Sequence, residues 1–170
     1  RFTTIQLPFQ FPNHDVAEAV MDGPAGRALL DLLPKHRLQG LAWGVNGFRQ
    51  VTNSKVEIRQ PSDMNGLKMR VPGIDLSLAI FRRLGSVPVT MSFAEVFTAL
   101  QTQTVDGQEN PLSLIWSSRF FDAQKYLTMW NYMYDAVCFI SSQSLWNSLS
   151  EGDKIMFAQA AKEAMNFERQ

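Results

Sequence analysis

The stretch LKMRVPGIDLSLAIFRRLGSVPVTMSFAEVFTALQTQTVDGQENP, Leu67 to Pro111, carries the fold class. Leu67 to Val71 alternates apolar and charged side chains, the period-2 pattern of a strand, and Pro72-Gly73 closes it. From Ile74 the period changes. Leu76, Ile80 and Leu84, joined by Phe81, recur at helical spacing, and Gly85 stands where a helix end takes glycine. Val87 to Val89 reads as a brief strand. Ser92-Phe-Ala-Glu95 has the form of a capping box, with Phe93, Val96, Phe97 and Leu100 along one helical face. Thr104 to Glu109 contains the turn pair Asp106-Gly107, and Pro111 suits the first position of a further helix to about Ser117. Strand, helix, strand and helix in succession predict an α/β domain.

Outward from this block the alternation continues. Asn13 is placed as an N-cap for DVAEAV, and Pro24 opens a second short helix that ends before the Lys35-His36-Arg37 turn. Leu38 to Trp43 and Phe48 to Thr52 read as two strands, separated by Gly44 and the turn pair Asn46-Gly47. Pro61-Ser62-Asp63 starts a helical turn that Gly66 stops, and Tyr126 to Ser141 reads as one long strand or two consecutive ones. Ser150 and Asp153 cap a last helix, with Met156, Ala160, Ala164 and Phe167 along one side. No repeat, low-complexity tract or linker interrupts residues 1–170, so no domain boundary is legible. The first residues, RFTTIQLPFQF, already look like the inside of a domain, and the expectation is a chain whose N-terminal part is missing.

Composition excludes several functions. Sixteen Lys and Arg balance sixteen Asp and Glu, leaving no net field to attract nucleic acid or anionic lipid. No apolar run approaches the roughly 20 residues of a spanning helix, because Asn131 and Asp135 break the stretch from Tyr126 to Ile140. Cys138 is the one cysteine; it cannot form an intrachain disulfide and reads as a small buried hydrophobe. His14 and His36 are the two histidines, too few for a zinc site or a catalytic triad among these surroundings. Walker-A, G-x-G-x-x-G and G-x-S-x-G patterns are missing, so neither a cofactor nor catalysis is expected. The contrasting enzyme reading places Glu109 as general base beside an arginine-bound acid.

The remaining candidates are polar groups in apolar settings. Arg70 lies at a strand end, where open α/β sheets meet ligands, and its planar fork matches a carboxylate; the alternative is a surface arginine paired with an Asp or Glu. Asn110 can reach a ligand oxygen or cap the helix beginning at Pro111. Phe93 either overhangs a cleft from its first-turn position or packs in the core. Glu109 can accept hydrogen bonds in a pocket or stand solvated after a turn, and Arg49 is a second cation near the cleft or an exposed strand residue. Trp43 and Tyr132 offer flat surface to a site, or core packing.

Five stretches together resemble the DctP-type substrate-binding proteins of TRAP (tripartite ATP-independent periplasmic) transporters. They are LPFQF at Leu7 to Phe11, NGFRQVTNSK at Asn46 to Lys55, GLKMRVPG at Gly66 to Gly73, PVTMSFAEVFTALQTQTVDGQENP at Pro88 to Pro111, and QKYLT at Gln124 to Thr128. The resemblance implies a periplasmic-binding-protein-like fold, two α/β lobes with a ligand cleft between them, to both of which this chain contributes. It implies a periplasmic monomer that binds a small organic carboxylate with high affinity and delivers it to TRAP permease subunits. A sensory module with the same fold is the alternative. By the same resemblance Arg70 forms the salt bridge to the carboxylate, Asn110 assists it, Phe93 packs near the ligand, Arg49 lies close by, and Glu109 matches a position that organises pocket water. Where many members carry a histidine after Y-L-T, this chain has Trp130-Asn131-Tyr132, which points to an individual far wall and a bulky or aromatic acid.

Overall fold

Leu38–Asn53 forms one strand of 16 residues, β1, where the sequence predicts two strands and a turn. Gly47 accounts for the difference: at φ 110° it takes a backbone conformation closed to other residues, and the chain runs on without reversing. Downstream of it, β1 is hydrogen-bonded on both edges, so the ladder overrides the local turn propensity of Asn46-Gly47. The structure, a computed structural model, describes residues 2–169. Two compact units divide inside β1, residues 48–133 forming one and residues 1–47 with 134–170 the other. A boundary within a continuous strand leaves no compositional mark, which is why none was legible.

In the unit of residues 48–133, Lys68–Val71 is β2, Asp75–Arg83 the helix αA, and Val87–Thr90 β3. Phe93–Glu95 is a single 3-10 turn leading into Val96–Gln101, αB. Ser92 and Glu95 close the predicted capping box, with Glu95 Oε2 accepting from the Ser92 amide at 2.9 Å. Gly107–Pro111 is β4, Leu112–Ser117 αC, and Tyr126–Thr128 β5. The Asp106-Gly107 pair therefore opens a strand, and Pro111 ends that strand and serves as N-cap, one position earlier than expected.

The sheet of this unit has the order β3-β2-β4-β1-β5, in which β2 is parallel to both β3 and β4 while β1 runs antiparallel to β4 and β5. From β2 the chain crosses to β3 on one side and then to β4 on the other. The strand order thus reverses between β2 and β4, the position at whose carboxyl ends open α/β sheets bind ligands. Two apolar clusters sandwich the sheet. Val51, Met69, Val71, Phe81, Tyr132 and Met133 pack with αA, while Val96, Ala99, Leu100, Val105, Ile115 and Phe120 form the cluster of αB and αC. Gly107 is required by close approach: a Cβ there would lie 2.3 Å from the Thr52 carbonyl oxygen and 2.9 Å from the Met69 sulfur.

The other unit contains helices His14–Asp22 and Pro24–Leu30, the upstream half of β1, and Tyr134–Ser142, β6, which pairs with β1. Asn13 caps as predicted, its Oδ1 accepting from the Val16 amide at 2.9 Å. The Tyr126 to Ser141 run resolves into two strands, β5 and β6. A short helix, Gln143–Ser148, follows β6 and was not foreseen. Glu151–Glu168 is the last helix, capped by Ser150, but its predicted apolar side is turned outward: Met156 is 60% and Phe167 78% exposed, and Ala161 is the buried position. Cys138 is half-buried in β6, and burial pushes its thiol from an ordinary value of 9.0 up to about 11, so the sulfur stays protonated. No helix among the described residues is long and apolar enough to cross a membrane.

Candidate functional site

Side chains alternate across β2, so Met69 and Val71 enter the αA cluster and Arg70 faces the αB side. Arg70 is 4% exposed, which removes the alternative of a surface arginine. One guanidinium nitrogen, Nη2, donates to the Met91 carbonyl oxygen at 2.9 Å, and Nε is buried without a hydrogen-bond partner among the described residues. No carboxylate of the described residues lies within ion-pairing distance of it. Burial, which disfavours the charged form, lowers the Arg70 pKa; the Glu109 carboxylate opposes this and the Arg49 cation adds to it. Even so, a guanidinium stays charged in proteins. A buried, charged and unpaired cation is costly unless an anion meets it.

Phe93 starts the 3-10 turn after β3 and is 42% exposed, so it is neither core nor fully solvated. Its ring centroid is 6.0 Å from the Arg70 guanidinium carbon, at the edge of cation–π range, and 5.8 Å from the Phe120 ring. Truncating it should leave the αB cluster intact and strip one wall from Arg70. Phe93→Ala is accordingly expected to weaken ligand binding about 2- to 30-fold, as a cation–π contact of roughly 0.5–2 kcal/mol implies, with little loss of unfolding free energy. Calorimetric titration beside urea unfolding reads both.

Arg49 and Glu109 meet across the β1–β4 ladder and are both buried, at 7% and 0% exposure. Neither is the solvated strand or turn residue that the sequence allowed. Arg49 Nε donates to Glu109 Oε2 at 2.5 Å and Nη2 to Oε1 at 2.9 Å, a two-pronged pairing. The same Nη2 lies 2.9 Å from the Glu109 carbonyl oxygen and 3.0 Å from Asn110 Oδ1. Tyr132 places its hydroxyl on Glu109 Oε2 at 2.7 Å from inside the αA cluster. Burial first, then the neighbouring Glu109 carboxylate, raises the Tyr132 pKa well above its ordinary value and keeps the phenol a donor.

Asn110 does not cap αC. It lies within β4, 2% exposed, and its amide nitrogen donates to Gln108 Oε1 at 2.5 Å. Arg70 is the register partner of Gln108, so Asn110 stands two residues, about 7 Å, further toward the carboxyl end. Arg70, Phe93, Arg49, Glu109, Asn110 and Tyr132 therefore belong to one unit and, Phe93 aside, to its sheet or the segment ending it. Trp43 belongs to the other unit, where its indole donates to the Gly26 carbonyl oxygen at 3.1 Å and its ring meets Phe2 at 6.1 Å.

Four buried or half-buried polar residues beside this set escaped the sequence reading: Gln50, Thr52, Gln108 and Gln124. The signal for three of them was spacing. Gln50 and Thr52 in β1, and Gln108 with Asn110 in β4, are i, i+2 pairs of polar residues in strands covered on both faces, where apolar side chains are expected.

The family described as bacterial extracellular solute-binding protein family 7, DctP, matches residues 1–170. A solute-binding protein of Verminephrobacter eiseniae is 41% identical over 165 residues, 97% of this chain and 49% of that protein. The crystal structure of a sugar acid binding protein from Advenella mimigardefordensis in complex with galactonate is 45% identical with a TM-score of 0.95, over 99% of this chain and 54% of that one. That of a TRAP periplasmic solute-binding protein from a Polaromonas species bound to D-erythronate is 42% identical with a TM-score of 0.96, over 99% and 55%. The chain spans about half the length of these proteins.

Proposed function

The chain belongs to the bacterial extracellular solute-binding proteins of family 7, and on that premise we propose that it supplies the anion-recognising part of a periplasmic protein that binds a small organic acid reversibly and hands it unchanged to a TRAP-type permease. Arg70 carries the proposal: a buried guanidinium with one nitrogen unpartnered and no carboxylate of the described residues within ion-pairing distance has the chemistry of a carboxylate clamp. It lies at the carboxyl end of β2, beside the switch between β2 and β4, where a ligand is expected on topological grounds. Asn110 assists with an amide hydrogen, and Phe93 walls the site. Arg49, Glu109 and Tyr132 form a scaffold that holds Asn110, with Glu109 as their shared acceptor. Trp43 receives no ligand role, since its indole is committed to Gly26.

Similar proteins hold galactonate and D-erythronate, both polyhydroxylated monocarboxylic acids. A panel of those two acids with succinate, added to the full-length protein, tests the reading by thermal unfolding. A true ligand at 100 times its Kd stabilises by roughly 2.7 kcal/mol. Mass spectrometry after hours of incubation should recover the acid intact. The reading fails if no acid of the panel shifts the transition, and its non-catalytic part fails if a bound acid is consumed.

A further inference from the structure

A single hydrogen-bonded file of side chains runs from Arg49 through the sheet to the far edge of the same unit. Arg49 Nη2 donates to Asn110 Oδ1 at 3.0 Å, and Asn110 Nδ2 donates to Gln108 Oε1 at 2.5 Å. Gln108 Nε2 donates to Thr52 Oγ1 at 2.9 Å, and Thr52 Oγ1 donates to Gln124 Oε1 at 2.9 Å. Gln124 Nε2 ends the file on two backbone carbonyls, Ala123 at 3.0 Å and Asp106 at 3.4 Å. The register places Thr52 opposite Gln108, and Gln108 is fully buried.

The direction of this file is determined at both ends. A guanidinium only donates, so Asn110 must turn its oxygen to Arg49; backbone carbonyls only accept, so Gln124 must turn its nitrogen to Ala123 and Asp106. Between them each amide has one orientation that leaves no donor facing a donor, and the Thr52 hydroxyl is the one link that both accepts and donates. Reversing any member buries two mismatched pairs, each costing a desolvated polar group.

We propose that Thr52 and Gln124 are positioning residues for the acid site: through Gln108 they lock the Asn110 amide so that its nitrogen, and not its oxygen, is held on the ligand side. An anion needs N–H donors; Arg49 holds the Asn110 oxygen from one side, and loss of the ordered Gln108 acceptor on the other would loosen the amide and let its nitrogen drift from the carboxylate. This rests on the acid-binding reading above, yet neither Thr52 nor Gln124 is part of that reading's contact set. Gln124 also borders a surface cavity of about 380 Å³ with Ser54 and Lys125, so the end of the file away from Arg49 lies at the surface.

Thr52→Val keeps the shape and removes both hydrogen bonds, whereas Thr52→Ser keeps them. In full-length protein titrated with the tightest-binding acid of the panel, Thr52→Val is expected to bind about tenfold more weakly, the worth of one such hydrogen bond, and Thr52→Ser within about twofold of wild type. Gln124→Met breaks the file at its half-buried end and serves where Thr52→Val fails to fold. In ligand-free protein, the side-chain amide resonances of Asn110 should shift and exchange faster in Thr52→Val and Gln124→Met but not in Thr52→Ser. Unchanged affinity with unchanged Asn110 resonances overturns the proposal while leaving the acid-binding reading in place. If no acid binds even the wild type, that reading falls, and the resonances alone decide whether the file orders Asn110.

Discussion

Arg70→Met separates binding from stability with opposite signs. Two charge-assisted hydrogen bonds to a carboxylate, at roughly 1.5–3 kcal/mol each, amount to about 3–6 kcal/mol, or a loss of affinity of about 150- to 20,000-fold when the fork is removed. At a ligand concentration 100 times the wild-type Kd, the stabilisation then falls from about 2.7 kcal/mol to about 0.4 or less. Without ligand the same substitution should leave the protein as stable as before or more so, because a buried cation with no carboxylate of the described residues within ion-pairing distance is exchanged for an apolar chain of similar length. The one hydrogen bond lost, to the Met91 carbonyl, offsets part of that gain. Arg70→Lys should fall between, keeping the charge and losing the planar fork. Calorimetric titration and urea unfolding of both variants decide it. A structural arginine would show the reverse, with Arg70→Met unfolding early and binding normally.

Glu109→Gln has the largest expected effect on the folded state. The carboxylate receives two hydrogen bonds from Arg49 and one from the Tyr132 hydroxyl, with no exposed surface of its own. The glutamine amide keeps the volume but turns an NH2 group toward donors and leaves the Arg49 charge unmatched. Breaking a buried ion pair from one side costs about 3–5 kcal/mol, a substantial share of the 5–15 kcal/mol that holds a typical domain together. The double substitution Arg49→Met with Glu109→Leu should recover most of the loss, since replacing both charges by apolar groups removes the mismatch. Urea unfolding of the two single variants and the double variant completes the cycle. A Glu109→Gln protein within 1 kcal/mol of wild type would show that the network bears little of the fold's stability, and would return Glu109 to the role of a ligand contact.

The two substitutions concern the two buried arginines of one unit, Arg70 directly and Arg49 through its partner Glu109. Both sit in strand-like runs, and although the strand end before Pro72-Gly73 singles out Arg70, nothing in their neighbours says which of the two is paired with a carboxylate. The strand pairing does. Antiparallel alignment of β1 with β4 brings Glu109 to Arg49, while Arg70 on β2 has Gln108 as its register partner and no carboxylate of the described residues within ion-pairing distance. Asn110 followed the same course. Its place before Pro111 favoured a helix cap on local grounds, and the β4 ladder drew it into a strand and gave its amide to Gln108.

Period, capping and glycine placement depend on neighbours within a few residues, and these were determined by the sequence itself: the capping box at Ser92 and Glu95, the Asn13 cap, the helix ending at Gly85 with φ 84°, and the alternation across β2. The same order of elements and the run TVDGQENP carried the family. Tertiary structure alone decided that Leu38 to Asn53 is one strand, that the last helix turns Met156 and Phe167 to solvent, and that of the two buried arginines Arg49 is paired with a carboxylate while Arg70 keeps a buried Nε without a partner among the described residues. Each of those depends on which strands lie side by side, and pairing between residues about 40 to 60 positions apart is set by packing and hydrogen-bond satisfaction across the whole sheet, which no local pattern encodes.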